Sequence, residues 1–211
     1  MMLGRLLLAL GAFLAATAAH AADLTVTVKD PNGRPVADAV VTVDAPGRAP
    51  APGRFTISQR DMKFVPEVLV VPVGSTIGFG NLDPFRHHVY SFSPAKTFEI
   101  KLYSGRSPES ILFDKPGVIT IGCNIHDWMI AYVLVVPTPY FAPVNSAGNA
   151  LLRDLRPGAY EVHAWHPRQK AAPAPVALSL EGAASSLGAA FNVEVEPRKP
   201  RYKPPLDRLR Y

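Results

Sequence analysis

The sequence of 211 residues has very little cysteine, and Cys123 is the only one. An internal disulfide is therefore excluded, and the thiol must be a free nucleophile, half of an intermolecular bridge, a buried bystander or a metal ligand. Helical patterning is also scarce, because no segment longer than a turn or two repeats its apolar residues with a 3.6-residue period. The sequence therefore indicates a protein built of strands and turns.

Long hydrophobic runs are limited to one, residues 6–16, about half the length that a membrane-spanning helix needs. The run follows Arg5 and precedes small residues ending in Ala19-His20-Ala21, which is the order of a secretory signal peptide. We predict a signal peptide over residues 1–21 and a periplasmic or secreted mature protein without a transmembrane segment. An uncleaved membrane anchor is the alternative.

Positive charge is concentrated at one end of the chain. Residues 198–211 contain six basic residues and one acid, and so carry the whole formal net charge of +5. The rest is close to neutral, which argues against a nucleic-acid-binding surface. We expect the Pro-rich basic tail, residues 197–211, to contact an acidic partner or a membrane surface, or else to be a solvated, disordered end.

Short strand candidates separated by Gly and Pro occupy residues 55–137, a pattern typical of all-β sandwiches. The candidates are residues 68–73, 76–79, 89–92, 110–113, 118–122 and 131–136. We predict a Greek-key β-sandwich of about six to eight strands for this block.

A second, discontinuous β-sandwich is predicted around that block. Residues 22–50 offer two strands around the turn Asp30-Pro31-Asn32-Gly33, and residues 140–196 offer about four more. Neither segment has enough strands to close a sandwich alone, whereas together they do. The predicted fold class is therefore all-β, with one sandwich inserted into another.

The chemistry of the chain is concentrated around its cysteine. Cys123, His126 and Met129 bring a thiolate, an imidazole and a thioether into seven residues, with the spacing C-x2-H-x2-M. Soft sulfur ligands together with imidazole select copper, and a Cys-His-His set with a long axial Met is the geometry of blue-copper electron-transfer sites. The sequence therefore predicts a copper site. The loop supplies one of its two histidines, and another segment must supply the second.

The missing histidine must come from another strand, because one tight loop supplies ligands from one side of an ion. His87, 36 residues before Cys123, and its neighbour His88 lie where a loop enters the strand candidate 89–92. Adjacent side chains on a strand point to opposite faces, so only one of the two is expected to reach the metal. Spacing alone leaves the choice open.

Residues 55–137 resemble the plastocyanin and azurin family of cupredoxins, with an amicyanin-like ligand loop, and they also resemble the exported cupredoxin-like proteins labelled methylamine utilisation proteins. The supporting phrases include Phe113-Asp114-Lys115-Pro116-Gly117, the lead-in to the cysteine strand. The family's upstream histidine precedes any residue and then Val, which falls on His87-His88-Val89. The resemblance therefore implies one type 1 copper ion per chain, held by His87, Cys123, His126 and Met129.

The flanking segments resemble a carboxypeptidase-regulatory-like, transthyretin-like β-sandwich. The resemblance rests on residues 26–41 and on Gly148 followed by Leu155-Arg156-Pro157-Gly158. In such domains the second half follows the first directly, so the intervening block is read as an insertion. Generic hairpins are the alternative.

These features predict an exported blue-copper protein that passes single electrons between redox partners, such as a cytochrome or a dehydrogenase, and that is not an enzyme. Three strong ligands and a weak axial one leave no coordination position for a substrate. The alternatives are a copper carrier or store, a structural or ligand-binding β-sandwich module, and a Cys-His hydrolase, in which Met129 would have no purpose.

Polar residues near the ligands are expected to support the site. We predict that Asn81 to Asp83 and the backbone N–H groups around Cys123 hold the thiolate by hydrogen bonds. His166 is expected to be structural, and the sequence offers His163 no partner.

Overall fold

The computed structural model describes residues 21–45, 48–181 and 186–198, with backbone alone for residues 106–108. The predicted signal peptide, apart from its last residue, and the basic tail after Arg198 lie outside the described residues. Both therefore stay predictions. The described residues contain no helix long and apolar enough to cross a membrane.

Sixteen strands and no helix are found among the described residues, which confirms the all-β fold class. The strands are β1 (Ala22–Lys29), β2 (Val40–Asp44), β3 (Arg54–Arg60), β4 (Lys63–Val65), β5 (Val68–Pro72), β6 (Ser75–Asn81), β7 (His87–Ser93), β8 (Lys96–Tyr103), β9 (Gly105–Phe113), β10 (Gly117–Gly122), β11 (Ile130–Val136), β12 (Tyr140–Pro143), β13 (Asn149–Leu155), β14 (Gly158–Trp165), β15 (Val176–Leu180) and β16 (Ser186–Asn192). Their apolar residues alternate between core and solvent, as the period-2 geometry of a strand requires.

Strands β3 to β11 form two facing sheets, which we call the inner sandwich. The sheet orders are β4-β3-β6-β9 and β5-β11-β10-β7-β8. Between them lies one core of fully buried side chains that includes Ile57, Phe79, Phe113 and Ile119. The inner sandwich has more strands than predicted. Strands β3 and β8 were missed because charged and polar residues make up much of their sequence, and β4 was missed because it has only three residues.

Strands β1, β2 and β12 to β16 form a second pair of sheets, which we call the outer sandwich. The sheet orders are β13-β1-β16 and β12-β2-β14-β15. A separate core that includes Leu24, Val41, Leu155 and Val162 lies between these sheets. Strand β1 runs parallel to β16, so the start and the end of the described chain are neighbours in one sheet.

Side-chain contacts join the two sandwiches. The Tyr132 ring of β11 lies 6.3 Å from the Trp165 ring of β14, in an edge-on arrangement. The Arg198 guanidinium lies 2.7 Å from the Glu67 carboxylate of the inner sandwich and 4.0 Å from Asp38 of the outer one. A ring contact and a bridging cation therefore join the sandwiches.

Candidate metal centre

The loop between β10 and β11 is closed by its own backbone. Gly122 and Ile130 are cross-strand partners at the ends of the two strands. Beyond them, the Cys123 N–H donates to the Met129 carbonyl oxygen at 3.3 Å, and the Met129 N–H donates to the His126 carbonyl oxygen at 2.8 Å. The loop is thus a tight hairpin end that holds the cysteine and the methionine side by side.

The Cys123 sulfur faces the ring nitrogens of two histidines. Its Sγ lies 3.7 Å from Nδ1 of His126 and 3.9 Å from Nδ1 of His87. One ligating atom from each of the three residues lies within 4.8 Å of the other two. Two ligands bound at about 2.0 and 2.3 Å to one ion, at a trigonal angle, are themselves about 3.7 Å apart. The three donor atoms therefore fit around a single metal ion.

Met129 and Cys123 lie in the same buried layer of the inner core. Their exposed fractions are 1% and 2%, so neither sulfur is open to bulk solvent. Both residues lie at the base of a surface groove next to the ring of Tyr90, which packs over Gly122. The loop hydrogen bond places Met129 beside Cys123 along the backbone.

The structure places His87, rather than His88, against the cysteine. The pairing of β7 with β8 is irregular between His87 and Val89, so the regular strand alternation is interrupted at His88. The His88 ring instead lies against β8, where its Nε2 is 2.9 Å from a carboxylate oxygen of Glu99.

Asp83 holds the other side of the His87 ring. His87 Nε2 lies 2.8 Å from Asp83 Oδ2, and the same carboxylate accepts the backbone N–H of Asp61 at 2.7 Å and that of Met62 at 3.0 Å. Burial alone would raise the pKa of Asp83, but hydrogen bonds from Met62, His87 and Asp61 together lower it below its usual value. An ionised carboxylate can only accept, so this contact favours the tautomer with the proton on Nε2 and the lone pair on Nδ1, the nitrogen that faces Cys123.

Asn81 supports this loop and not the sulfur, contrary to the prediction that residues 81–83 hold the thiolate. Its amide donates to the carbonyl oxygens of Phe85 at 2.7 Å and Tyr103 at 3.0 Å. Its Oδ1 accepts the Asp83 N–H at 3.0 Å. Both amide hydrogens are thereby used on carbonyl groups, and the segment acts on the site through His87.

His126 forms the outer edge of the centre. Its half-buried ring lies 6.0 Å from the Phe85 ring and 5.3 Å from the Trp128 ring. Burial and the neighbouring His87 lower its pKa, so the metal-free ring is neutral at neutral pH and able to bind a metal. Leu82, on the same loop as Phe85, and Ile125, next to His126, expose 56% and 50% of their surface.

Two further histidines lie in or beside the outer sandwich. His166 is buried, its Nδ1 accepts the Arg168 N–H at 3.1 Å, and burial, with a contribution from Arg168, lowers its pKa to about 4. His163 has partners that the sequence did not indicate, since its ring lies 3.3 Å from Asp44 and 3.9 Å from Glu161. Asp44 and Glu161 are exposed and His163 is half-buried, and all three lie on one sheet face.

No protein-family model matches the chain, and no curated protein matches it. Similar solved structures include a purple cupredoxin from Nitrosopumilus maritimus, at 22% identity over 38% of this chain and 98% of that chain, with a TM-score of 0.35. A copper-containing nitrite reductase from Thermus scotoductus is similar at 25% identity over 55% of this chain and 28% of its own, with a TM-score of 0.39. A reduced amicyanin mutant is similar at 20% identity over 46% of this chain and 98% of its own, with a TM-score of 0.37.

Proposed function

We propose that this chain is an exported type 1 copper protein that carries single electrons between redox proteins. The observation that carries the proposal is the convergence of Nδ1 of His87 and Nδ1 of His126 on the sulfur of Cys123, at 3.9 and 3.7 Å. One thiolate and two imidazoles are the strong ligands of a blue-copper site. Met129, buried at the other end of the same loop, is the proposed axial ligand.

A copper ion held by these residues would supply the Cu(I)/Cu(II) couple, which transfers one electron at a time. The chain's own contribution is a rigid cage. Cys123 and Met129 are fixed by the loop hydrogen bonds, and His87 is fixed by Asp83. Ligands that are already in place move little between the two oxidation states, which favours fast electron exchange.

We propose that the protein carries electrons and is not an enzyme. The proposed set of three strong ligands and one weak ligand completes the coordination sphere, whereas a catalytic metal site keeps a position open for water or substrate. The sulfur of Cys123 is buried, and its two near partners are the ring nitrogens that would share the metal with it. The side chains therefore favour electron transfer at the site over binding of a substrate to the metal.

His126 is the proposed exit for the electron. Its half-buried ring is the outermost of the proposed ligands, and it lies near the rings of Phe85 and Trp128. The exposed side chains of Leu82 and Ile125 add apolar surface on the same two loops. A small apolar surface suits the transient docking of a redox protein such as a cytochrome or a dehydrogenase.

Export to the periplasm or the medium is part of the proposal and rests on the signal-like residues 1–21. The neutral body of the chain supports a protein partner over a nucleic acid. The basic residues 198–211 are proposed to contact an acidic partner or a membrane surface.

Titration of the mature protein with copper(II) tests the proposal. We expect an intense visible absorption band that saturates at one copper ion per chain, and a reversible one-electron wave in voltammetry. The band should vanish in Cys123→Ala and persist in His163→Gln, the matched control in the outer sandwich. A colourless wild-type protein would contradict the copper site. A coloured protein without a reversible wave would favour a copper carrier or store instead.

A further inference from the structure

The turn between β3 and β4 contacts Asp83, the residue that is hydrogen-bonded to His87. Its tip residues Asp61 and Met62 both have positive φ angles, 52° and 54°, the conformation of a two-residue type I′ turn. Their two backbone N–H groups donate to the carboxylate of Asp83 at 2.7 and 3.0 Å. Both backbone N–H groups of this strained turn are therefore used to bind the carboxylate of one acidic residue.

The Asp83 carboxylate is also hydrogen-bonded to His87, a proposed copper ligand. The Asp83 side chain is only 6% exposed, and among the described residues its ion-pair partner is His87. A buried negative charge acts strongly on what lies next to it, because little solvent screens it. The ring of His87 therefore lies between a carboxylate on one side and the sulfur of Cys123 on the other.

We propose that Asp83 is a positioning residue for the copper site: it fixes the His87 ring with Nδ1 towards Cys123 and lowers the reduction potential of the bound copper. The inference deepens the proposed function and rests on it. A carboxylate hydrogen-bonded to a histidine ligand makes that ligand more basic and fixes its tautomer. A nearby negative charge also stabilises the more positive oxidation state, Cu(II), relative to Cu(I).

The histidine next to His87 provides a control for the Asp83 variant. His88 is also paired with a carboxylate, Glu99, at 2.9 Å, but its ring lies against β8 and away from the cysteine. Glu99→Gln removes a carboxylate charge from the histidine next to the proposed ligand. Asp83→Asn removes the same charge from His87 itself. The two variants therefore differ in which histidine loses its anionic partner.

The first measurement compares copper-loaded wild type, Asp83→Asn and Glu99→Gln. In Asp83→Asn we expect a higher reduction potential and a Cu(II) affinity lower by about 10- to 100-fold, the usual loss for an outer partner of a metal ligand. Glu99→Gln should match wild type in both. An Asp83→Asn protein that matches Glu99→Gln in potential and affinity would overturn the inference.

The second measurement needs neither copper nor a variant. In the metal-free wild-type protein, nitrogen-15 spectra of the histidine rings report which nitrogen of His87 carries the proton. We expect the proton on Nε2, facing Asp83, and a proton on Nδ1 would overturn the inference even if Asp83→Asn fails to fold. If wild type binds no copper, the proposed function fails and the potential-lowering role fails with it. If wild type binds copper and Asp83→Asn is unchanged, this inference alone fails.

Discussion

The backbone N–H of Cys123 donates to the carbonyl oxygen of Met129 at 3.3 Å, so the two sulfur residues of the ligand loop are neighbours across one hydrogen bond. This bond continues the pairing of β10 with β11 beyond the last regular pair, Gly122 with Ile130. The loop therefore extends the sheet, and the sheet holds the proposed ligands in place. Met129 packs in the core and is also a proposed ligand, so these two roles need to be tested separately.

Met129→Leu separates those two roles. Leucine fills nearly the same volume, so the free energy of unfolding of the metal-free protein should change by less than about 1.5 kcal/mol. The loss of the thioether should change the reduction potential of the copper protein, because the axial ligand tunes it. Denaturant unfolding and voltammetry check the two expectations. An unchanged potential would show that Met129 only packs the core.

Asn81→Ala should weaken the fold while copper still binds. The substitution leaves the carbonyl oxygens of Phe85 and Tyr103 without their donor, which should reduce the free energy of unfolding by about 1–3 kcal/mol. Looser support of the loop should also shift the reduction potential. Copper titration, voltammetry and urea unfolding check this. The control is Asn145→Ala, in an exposed turn of the outer sandwich, which should leave the potential unchanged. Complete loss of copper binding in Asn81→Ala would contradict this supporting role.

His166 should make the metal-free protein less stable in mild acid. Burial lowers its pKa from 6.5 to about 4, so below pH 6.5 the unfolded chain binds a proton that the folded chain does not. Its contribution to stability is full above pH 6.5 and is lost as the pH falls towards 4. The expected loss between pH 7 and pH 5 is about 2 kcal/mol.

Urea unfolding at the two pH values measures this loss. His166→Asn keeps an acceptor for the Arg168 N–H but does not titrate, so its pH dependence should be smaller than that of wild type. His163→Gln, at a half-buried surface histidine, should behave like wild type. Equal pH dependence in wild type and His166→Asn would contradict the assignment to His166.

Gly148→Ala should destabilise the outer sandwich. Gly148 has φ +79°, and a Cβ there would lie 2.8 Å from the Val28 carbonyl oxygen. Gly33, at φ +78°, provides the matched control, because a Cβ added there would have nothing within 4 Å. We expect Gly33→Ala to cost about 1–2 kcal/mol of backbone strain and Gly148→Ala roughly 1–3 kcal/mol more.

Fluorescence locates that destabilisation, because the two tryptophans lie in different sandwiches, Trp128 in the ligand loop and Trp165 in β14. The copper band of Gly148→Ala should match that of wild type at low denaturant. Equal unfolding free energies for the two alanine variants would show that the neighbouring backbone makes room for the added methyl group.

The ligand loop was predictable because its chemistry is local. Cys123, His126 and Met129 lie within seven residues between two strong strand candidates, so few folds could separate them. The choice between His87 and His88 was not predictable from spacing, because it depends on an irregularity in the pairing of β7 with β8. Family resemblance, and not periodicity, favoured His87.

Asp83 was assigned the wrong target because its partners are distant in sequence. Its carboxylate bonds Asp61 and Met62, more than twenty residues earlier, through a hairpin whose strands β3 and β4 were not predicted. That turn also lacks the Asn-Gly or Asp-Gly pair that usually marks a two-residue hairpin. The one local signal was the four-residue spacing from Asp83 to His87.

The parallel pairing of β1 with β16 sets an order of events during synthesis. A ribosome releases the chain from its N-terminus, so all nine strands of the inner sandwich are available once residue 136 has emerged. One edge of β1 stays uncovered until β13 has emerged, and the other stays uncovered until β16 has emerged. The half that contains the candidate metal centre is therefore complete while the other half still has an open edge strand, the stage at which a β-protein is most prone to pair with the wrong chain.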